Sequence, residues 1–159
     1  HEGKGSLLSY LKDKGWAQTL SAGARPATKE EITKFHTERY HDQIKRDSDA
    51  NGGEGGELAP FSKRGYEIAC LSAGGVIAAT EAVIRGDVDN AYCLVRPPGH
   101  HAEADRGRGF CIFNNIAIAA LHARTLGPAY QRIAIVDYGK YLCVHVPVLS
   151  YCISTTTAL

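Results

Sequence analysis

The chain contains no methionine and a single tryptophan among its 159 residues. No run approaches the roughly 18–20 consecutive apolar residues of a membrane span. The opening His1-Glu2-Gly3-Lys4 lacks the charged-then-apolar layout of a secretory leader. These absences point away from a membrane, and the missing initiator Met predicts a piece of a longer protein. A surplus of either charge is also lacking, since the net charge is +1. With no basic tail and no Lys/Arg run, direct nucleic-acid binding is not expected. The cysteines (Cys70, Cys93, Cys111, Cys143, Cys152) are odd in number and irregular in spacing, which excludes a disulfide framework. Cys70 and Cys93 lie in apolar segments as small hydrophobes, and a reducing, intracellular compartment is expected.

What is present is enough for one core-forming domain, with 44% hydrophobic residues. Leu7, Leu8 and Leu11 predict a short helix within residues 3–14, ended by Gly15. Thr28-Lys29-Glu30-Glu31 has the form of a capping box, so a helix should follow with Ile32 and Phe35 inward, and a second from Thr37 to about Arg46. Asp47 to Pro60 is polar and Gly-rich without periodicity and reads as a surface loop. From Ser62 to Ile84 the apolar residues recur at helical spacing, and Gly86 is a natural stop. Gly74 and Gly75 inside that helix each cost about 1 kcal/mol relative to Ala, a cost easier to accept where another element packs closely.

Ala91–Val95 is rich in strand formers and ends at Arg96-Pro97-Pro98-Gly99, because proline cannot donate to a ladder. Asn114 or Asn115 can cap a helix running to about Arg124, closed by Gly127-Pro128, and Arg132–Asp137 reads as a second buried strand. Strand, helix and strand in this order predict a parallel βαβ unit with a right-handed crossover. Ligands bind beyond the carboxyl ends of such strands. His100 and His101 follow the first strand and Asp137 closes the second, so an imidazole beside a carboxylate, a candidate general base, is expected there. The alternatives are a solvated His-His loop and an Asp that merely caps a strand end. Arg96, Arg106 and Arg108 lie nearby, either as loop solvation or as a positive rim over a channel.

The stretch Leu94–Arg124, with RPPGHH, then GFC, then FNN, followed by a strand ending in VD, resembles the core of the histone deacetylase family. The similarity is to the branch with bacterial class II-like deacetylases and acetylpolyamine amidohydrolases. Weaker similarity reaches back through FHTERY and the helix from Ser62 to His1-Glu2, covering about residues 1–138. The resemblance implies an arginase/deacetylase-like three-layer α/β domain with a central parallel sheet, incomplete in this chain. It implies zinc-dependent hydrolysis of N-acetyl amides on lysine (in histone or other protein) or on polyamine, in a cytoplasmic or nuclear setting that includes chromatin. His100 and His101 would be general base and general acid flanking a metal-bound water. Asp137 would pair with the first of them and help hold a potassium ion. Gly109 and Phe110 would line the narrow channel for the acyl-lysine stem. Cys111 in the same loop is read as a packing residue, a nucleophile there being unusual.

The family's strand continues as Trp-Asp-Val-His-His-Gly-Asn-Gly, whose Asp and first His bind zinc. Here Gly139 and Tyr141 occupy those positions, and the third zinc ligand and the carbonyl-polarising tyrosine would lie beyond Leu159. Zinc lowers the pKa of its water from about 15.7 to about 7, which a histidine alone cannot match against an amide. The chain as written is therefore expected to be inactive. Residues 139–159 contain no acidic residue and read as a non-family tail. Cys143, His145 and Cys152 lack the companion pair of known zinc motifs. Gly139-Lys140-Tyr141 can be encoded by GGT AAG TAC, which contains a splice donor, so intron read-through is expected to account for the tail. Two further readings stay open: a non-catalytic protein that binds acyl-lysine or a partner, and a fragment whose exposed sheet edge prevents a stable fold.

Overall fold

The capping box fixes the first well-defined turn of the chain. In this computed structural model, which describes residues 7–16, 24–137 and 152–153, Thr28 accepts from the Glu31 N–H while the Glu31 side chain accepts from the Thr28 N–H. The helix it starts, α2 (Lys29–Ile32), is one turn long and follows α1 (Leu7–Asp13), which ends at Gly15 with φ +68°. Ile32 is fully buried and Phe35 packs on the core from the turn beyond α2. Thr37 caps α3 (Glu38–Ala50) through its side chain, and Tyr40 and Ile44 face inward one turn apart.

The long apolar helix forms as α4 (Gly65–Arg85), three residues later than Ser62, and stops at Gly86 with φ +76°. Among the described residues it is long and apolar enough to cross a membrane, yet half of its most apolar stretch is buried inside the fold. It packs chiefly on α5 (Asn115–Arg124), a helix buried almost all round, as a core helix would be. Gly74 is where the segment before α2 crosses α4. The Ala27 N–H donates to the Cys70 carbonyl at 2.9 Å, and a Cβ on Gly74 would lie 1.7 Å from the Arg25 carbonyl oxygen. Gly75 has only Val95 Cγ1 at 3.5 Å, ordinary contact.

Two expectations need correction. The Gly-rich segment Asp47–Pro60 is not a surface loop. Its start completes α3, and β1 (Gly52–Glu54) then pairs antiparallel with β3 (Pro60–Ser62). Between them β2 (Gly56–Glu57) pairs in parallel with β4 (Gly107–Arg108), and Gly55 and Ala59 are buried. A Cβ on Gly56 would sit 2.0 Å from the Gly107 carbonyl oxygen. The glycines permit backbone contact, and contacts of that kind leave no side-chain periodicity to read.

The second correction concerns the βαβ unit. α5 forms as expected with Asn114 as its cap, and a short 3-10 helix, Pro128–Tyr130, closes it. Ala91–Val95 joins no ladder among the described residues, however, and the second strand is only β5 (Ala134–Ile135). Its parallel partner is β6 (Cys152–Ile153), not Ala91–Val95. The earlier segment keeps strand alternation: Ala91, Cys93 and Val95 are half-buried while Tyr92 and Leu94 are exposed. A strand exists through its neighbours' hydrogen bonds, so an alternating pattern without a paired neighbour remains extended chain. The result is a partial α/β layer, with Val136 also exposed on it.

Candidate active site

The Pro97-Pro98-Gly99 bend brings the histidine pair to the foot of α5. The Pro97 carbonyl accepts from the Ser72 hydroxyl of α4 at 2.8 Å and from the Asn115 amide of α5 at 3.2 Å. Asn115 also donates to Ser72 Oγ at 2.9 Å, which makes a closed buried triangle. Gly99 lies against the start of α5, where a Cβ would come within 2.4 Å of the Asn115 nitrogen. The backbone entering His100 is thus tied to two helices.

His100 Nδ1 lies 2.7 Å from Asp137 Oδ2. An ionised carboxylate only accepts, so Nδ1 carries the proton and donates it, which leaves Nε2 with its lone pair. The two ends that a parallel βαβ unit would bring together do meet, although the ladder between their strands is not formed. The His101 ring lies 4.0 Å from that of His100, centroid to centroid. Burial, then the neighbouring His100, lowers the His101 pKa below the ordinary histidine value. Replacing Asp137 with Asn should remove the single Nδ1–H tautomer of His100, as read from its imidazole nitrogen shifts. An unchanged tautomer would sink the pairing.

Gly109 (φ +52°) lies directly under His101, where a Cβ would come within 2.8 Å of the ring. Phe110 follows with φ +65° and is 60% exposed. Its N–H donates to the carbonyl of Leu58, which has φ +55° and is 68% exposed. Two exposed apolar residues at left-handed backbone positions therefore meet next to Gly109, which itself lies against His101. Cys111 is fully buried and burial raises its thiol pKa, so it packs and does not attack. Arg106 pairs with Glu103 at 2.7 Å, and Arg108 with Glu57 at 3.2 Å, which favours loop solvation over a positive rim at those two positions.

Sequence reasoning did not assign Ser72, Asn114, Asn115 or His36 to this site. Asn114 and Asn115 were visible in FNN and His36 in FHTERY, but their partners lie far away in the chain. Among the described residues no group of three or more His, Cys, Asp or Glu side chains is placed to hold a metal ion. Gly139 and Tyr141 lie outside the described residues.

Residues 3–139 match the histone deacetylase domain model. A histone deacetylase-like amidohydrolase of Pseudomonas aeruginosa is 44% identical over 138 residues, covering 86% of this chain and 36% of that protein. A polyamine deacetylase HDAC10 of Danio rerio is 37% identical over 157 residues, 91% of this chain and 22% of that protein. The chain thus spans about a third or less of these relatives. The solved HDA15 HD domain superposes with a TM-score of 0.68 at 32% identity, over 75% of this chain and 34% of that one. The fold is therefore the α/β fold of these deacetylases, present in part. The chain belongs to the histone deacetylase domain family.

Proposed function

We propose that the chain is the N-terminal part of a deacetylase whose whole form hydrolyses N-acetyl amides of lysine or polyamine, in the cytoplasm or nucleus. The observation that carries this reading is the 2.7 Å hydrogen bond from His100 to Asp137 beside His101. His100, held in its Nδ1–H tautomer, presents Nε2 to take a proton from attacking water. His101, of lowered proton affinity, is suited to return one to the leaving nitrogen. Phe110 and Leu58 offer apolar faces that suit a methylene stem whose charge acetylation has removed.

The donor set does not fit the zinc of the family. Asp137 is committed to His100, and a glycine and a tyrosine stand at the expected ligand positions 139 and 141. Potassium beside Asp137 remains a proposal on the same footing. General acid–base catalysis contributes about 10²–10⁴-fold, short of the 10⁶-fold or more typical of enzymes. We therefore expect the 159-residue chain to hold less than stoichiometric zinc and to leave an acetyl-lysine peptide and an acetylpolyamine at the buffer rate. Stoichiometric zinc by elemental analysis, together with turnover, would reverse this reading. Residues 1–138 are taken as the deacetylase part and 139–159 as a tail from intron read-through. Sequencing the transcript tests that: a spliced message that still encodes GKYLCVHV removes the idea.

The exposed Phe110 and Leu58 favour a second reading, a chain that binds acyl-lysine without hydrolysing it. Binding of an acetyl-lysine peptide that Phe110→Ala weakens, with no turnover, would select it.

A further inference from the structure

The loop from His101 to Asn114 carries the acid–base pair's second member and the channel wall, and its neck is closed by a residue outside it. His36, in the turn between α2 and α3, is 2% exposed and makes both of its hydrogen bonds to this loop's backbone. The Asn114 N–H lies 2.9 Å from His36 Nε2. A backbone N–H only donates, so Nε2 accepts, Nδ1 holds the proton and it donates to the Ala104 carbonyl at 3.2 Å. The Thr37 N–H reaches the same carbonyl at 2.9 Å, and the Asn114 side-chain amide donates to the Ala102 carbonyl at 2.9 Å. Asn114 also caps α5 through Oδ1, so the far side of the neck is tied to a helix. Phe35, Tyr40 and Phe113 enclose the His36 ring, with centroids 4.9, 5.4 and 5.3 Å away.

We propose that His36 is a positioning residue that sets the placement of His101 by clamping both sides of the loop neck. His101 precedes Ala102 directly and rests on Gly109, so the chain on either side of its imidazole belongs to the clamped loop. A residue that only filled volume would need no donor and acceptor aimed at Ala104 and Asn114. The pattern specifies a neutral imidazole, or a side chain that presents one donor and one acceptor at a similar span.

The significance of the clamp rests on reading His100 and His101 as the acid–base pair, but its test does not use turnover. The histidine-labelled 159-residue chain is titrated by NMR, following the imidazole resonances of His101. His100, Asp137 and Arg108 are the titratable or charged neighbours that act on that ring. In His36→Leu the loosened loop admits water, and the proton affinity of His101 should rise about threefold or more as the burial that depresses it is relieved. His36→Gln, whose amide both donates and accepts, should restore the parent titration. If His36→Leu does not fold, His36→Asn, one methylene shorter than Gln and able to reach one partner only, takes its place with the same two outcomes. A folded variant in which His101 titrates as in the parent overturns the proposal, as does a Gln variant that behaves like Leu. Loss of the catalytic reading itself would show as an unchanged His100 tautomer in Asp137→Asn and leave these His101 resonances as described.

Discussion

Gly74→Ala is expected to lower stability by more than about 3 kcal/mol, a large share of the roughly 5–15 kcal/mol that holds an ordinary domain folded. The added Cβ would lie 1.7 Å from the Arg25 carbonyl oxygen and 2.7 Å from the Ala27 nitrogen. Both are backbone atoms, so no side-chain rotation relieves the clash. The segment must lift off α4, which breaks the Ala27 to Cys70 hydrogen bond and uncovers Ala27, now 5% exposed. Overpacking alone costs about 1–3 kcal/mol, and the lost bond adds to it. The neighbouring Gly75→Ala is the control. Its Cβ would find only Val95 at 3.5 Å, so the better helix propensity of Ala should stabilise by up to about 1 kcal/mol. Urea midpoints of the two variants should move in opposite directions. A Gly74→Ala midpoint at or above that of the parent would contradict the close crossing.

Acid should weaken the fold well above the range in which ordinary carboxylates titrate. Burial pushes the pKa of His36 down to about 4 from an ordinary 6.5, against the opposing hydrogen bond to Ala104. The unfolded chain therefore takes up this proton first, and between those values it binds more protons than the folded state. Stability is full above pH 6.5 and falls through the window, with the loss complete near pH 4. At about 1.4 kcal/mol for each tenfold change in proton affinity, the loss amounts to roughly 3 kcal/mol. Glu31 extends the decline to lower pH. Arg25, paired with it in a two-pronged hydrogen bond, lowers its pKa from 4.5 to about 2, and its contribution is lost as pH falls through that interval. Denaturant midpoints measured from pH 7 to 4 should fall steeply in the parent and much less in His36→Gln. Parallel curves would assign the acid sensitivity elsewhere.

The helices were legible because each carries its own signals. Thr28 and Glu31 spell out a cap, Gly86 a stop, and Asn114 a second cap, and all three act over a few residues of chain. The meeting of His100 with Asp137 was also legible, since both stood at the ends of strand-like runs flanking one helix. The hairpin at Gly52–Ser62 was not. Its stability comes from glycine backbones pressed against other backbones, and such contacts carry no polar or apolar rhythm. Nor could alternation in Ala91–Val95 foretell that no described strand would pair with it.

By itself, then, the sequence determined the helices, the histidine pair, its carboxylate partner and the family, because these depend on local patterns and motif spacing. It also puts glycine and tyrosine at positions 139 and 141, where the resemblance to the family led us to expect zinc ligands. Only the tertiary structure decided how the site is held. Ser72 reaches Pro97 across 25 residues, and His36 reaches Ala104 and Asn114 across 68 and 78. Bonds over such separations form only after the helices have packed, when burial makes an unpaired backbone group costly and selects whatever side chain lies within reach.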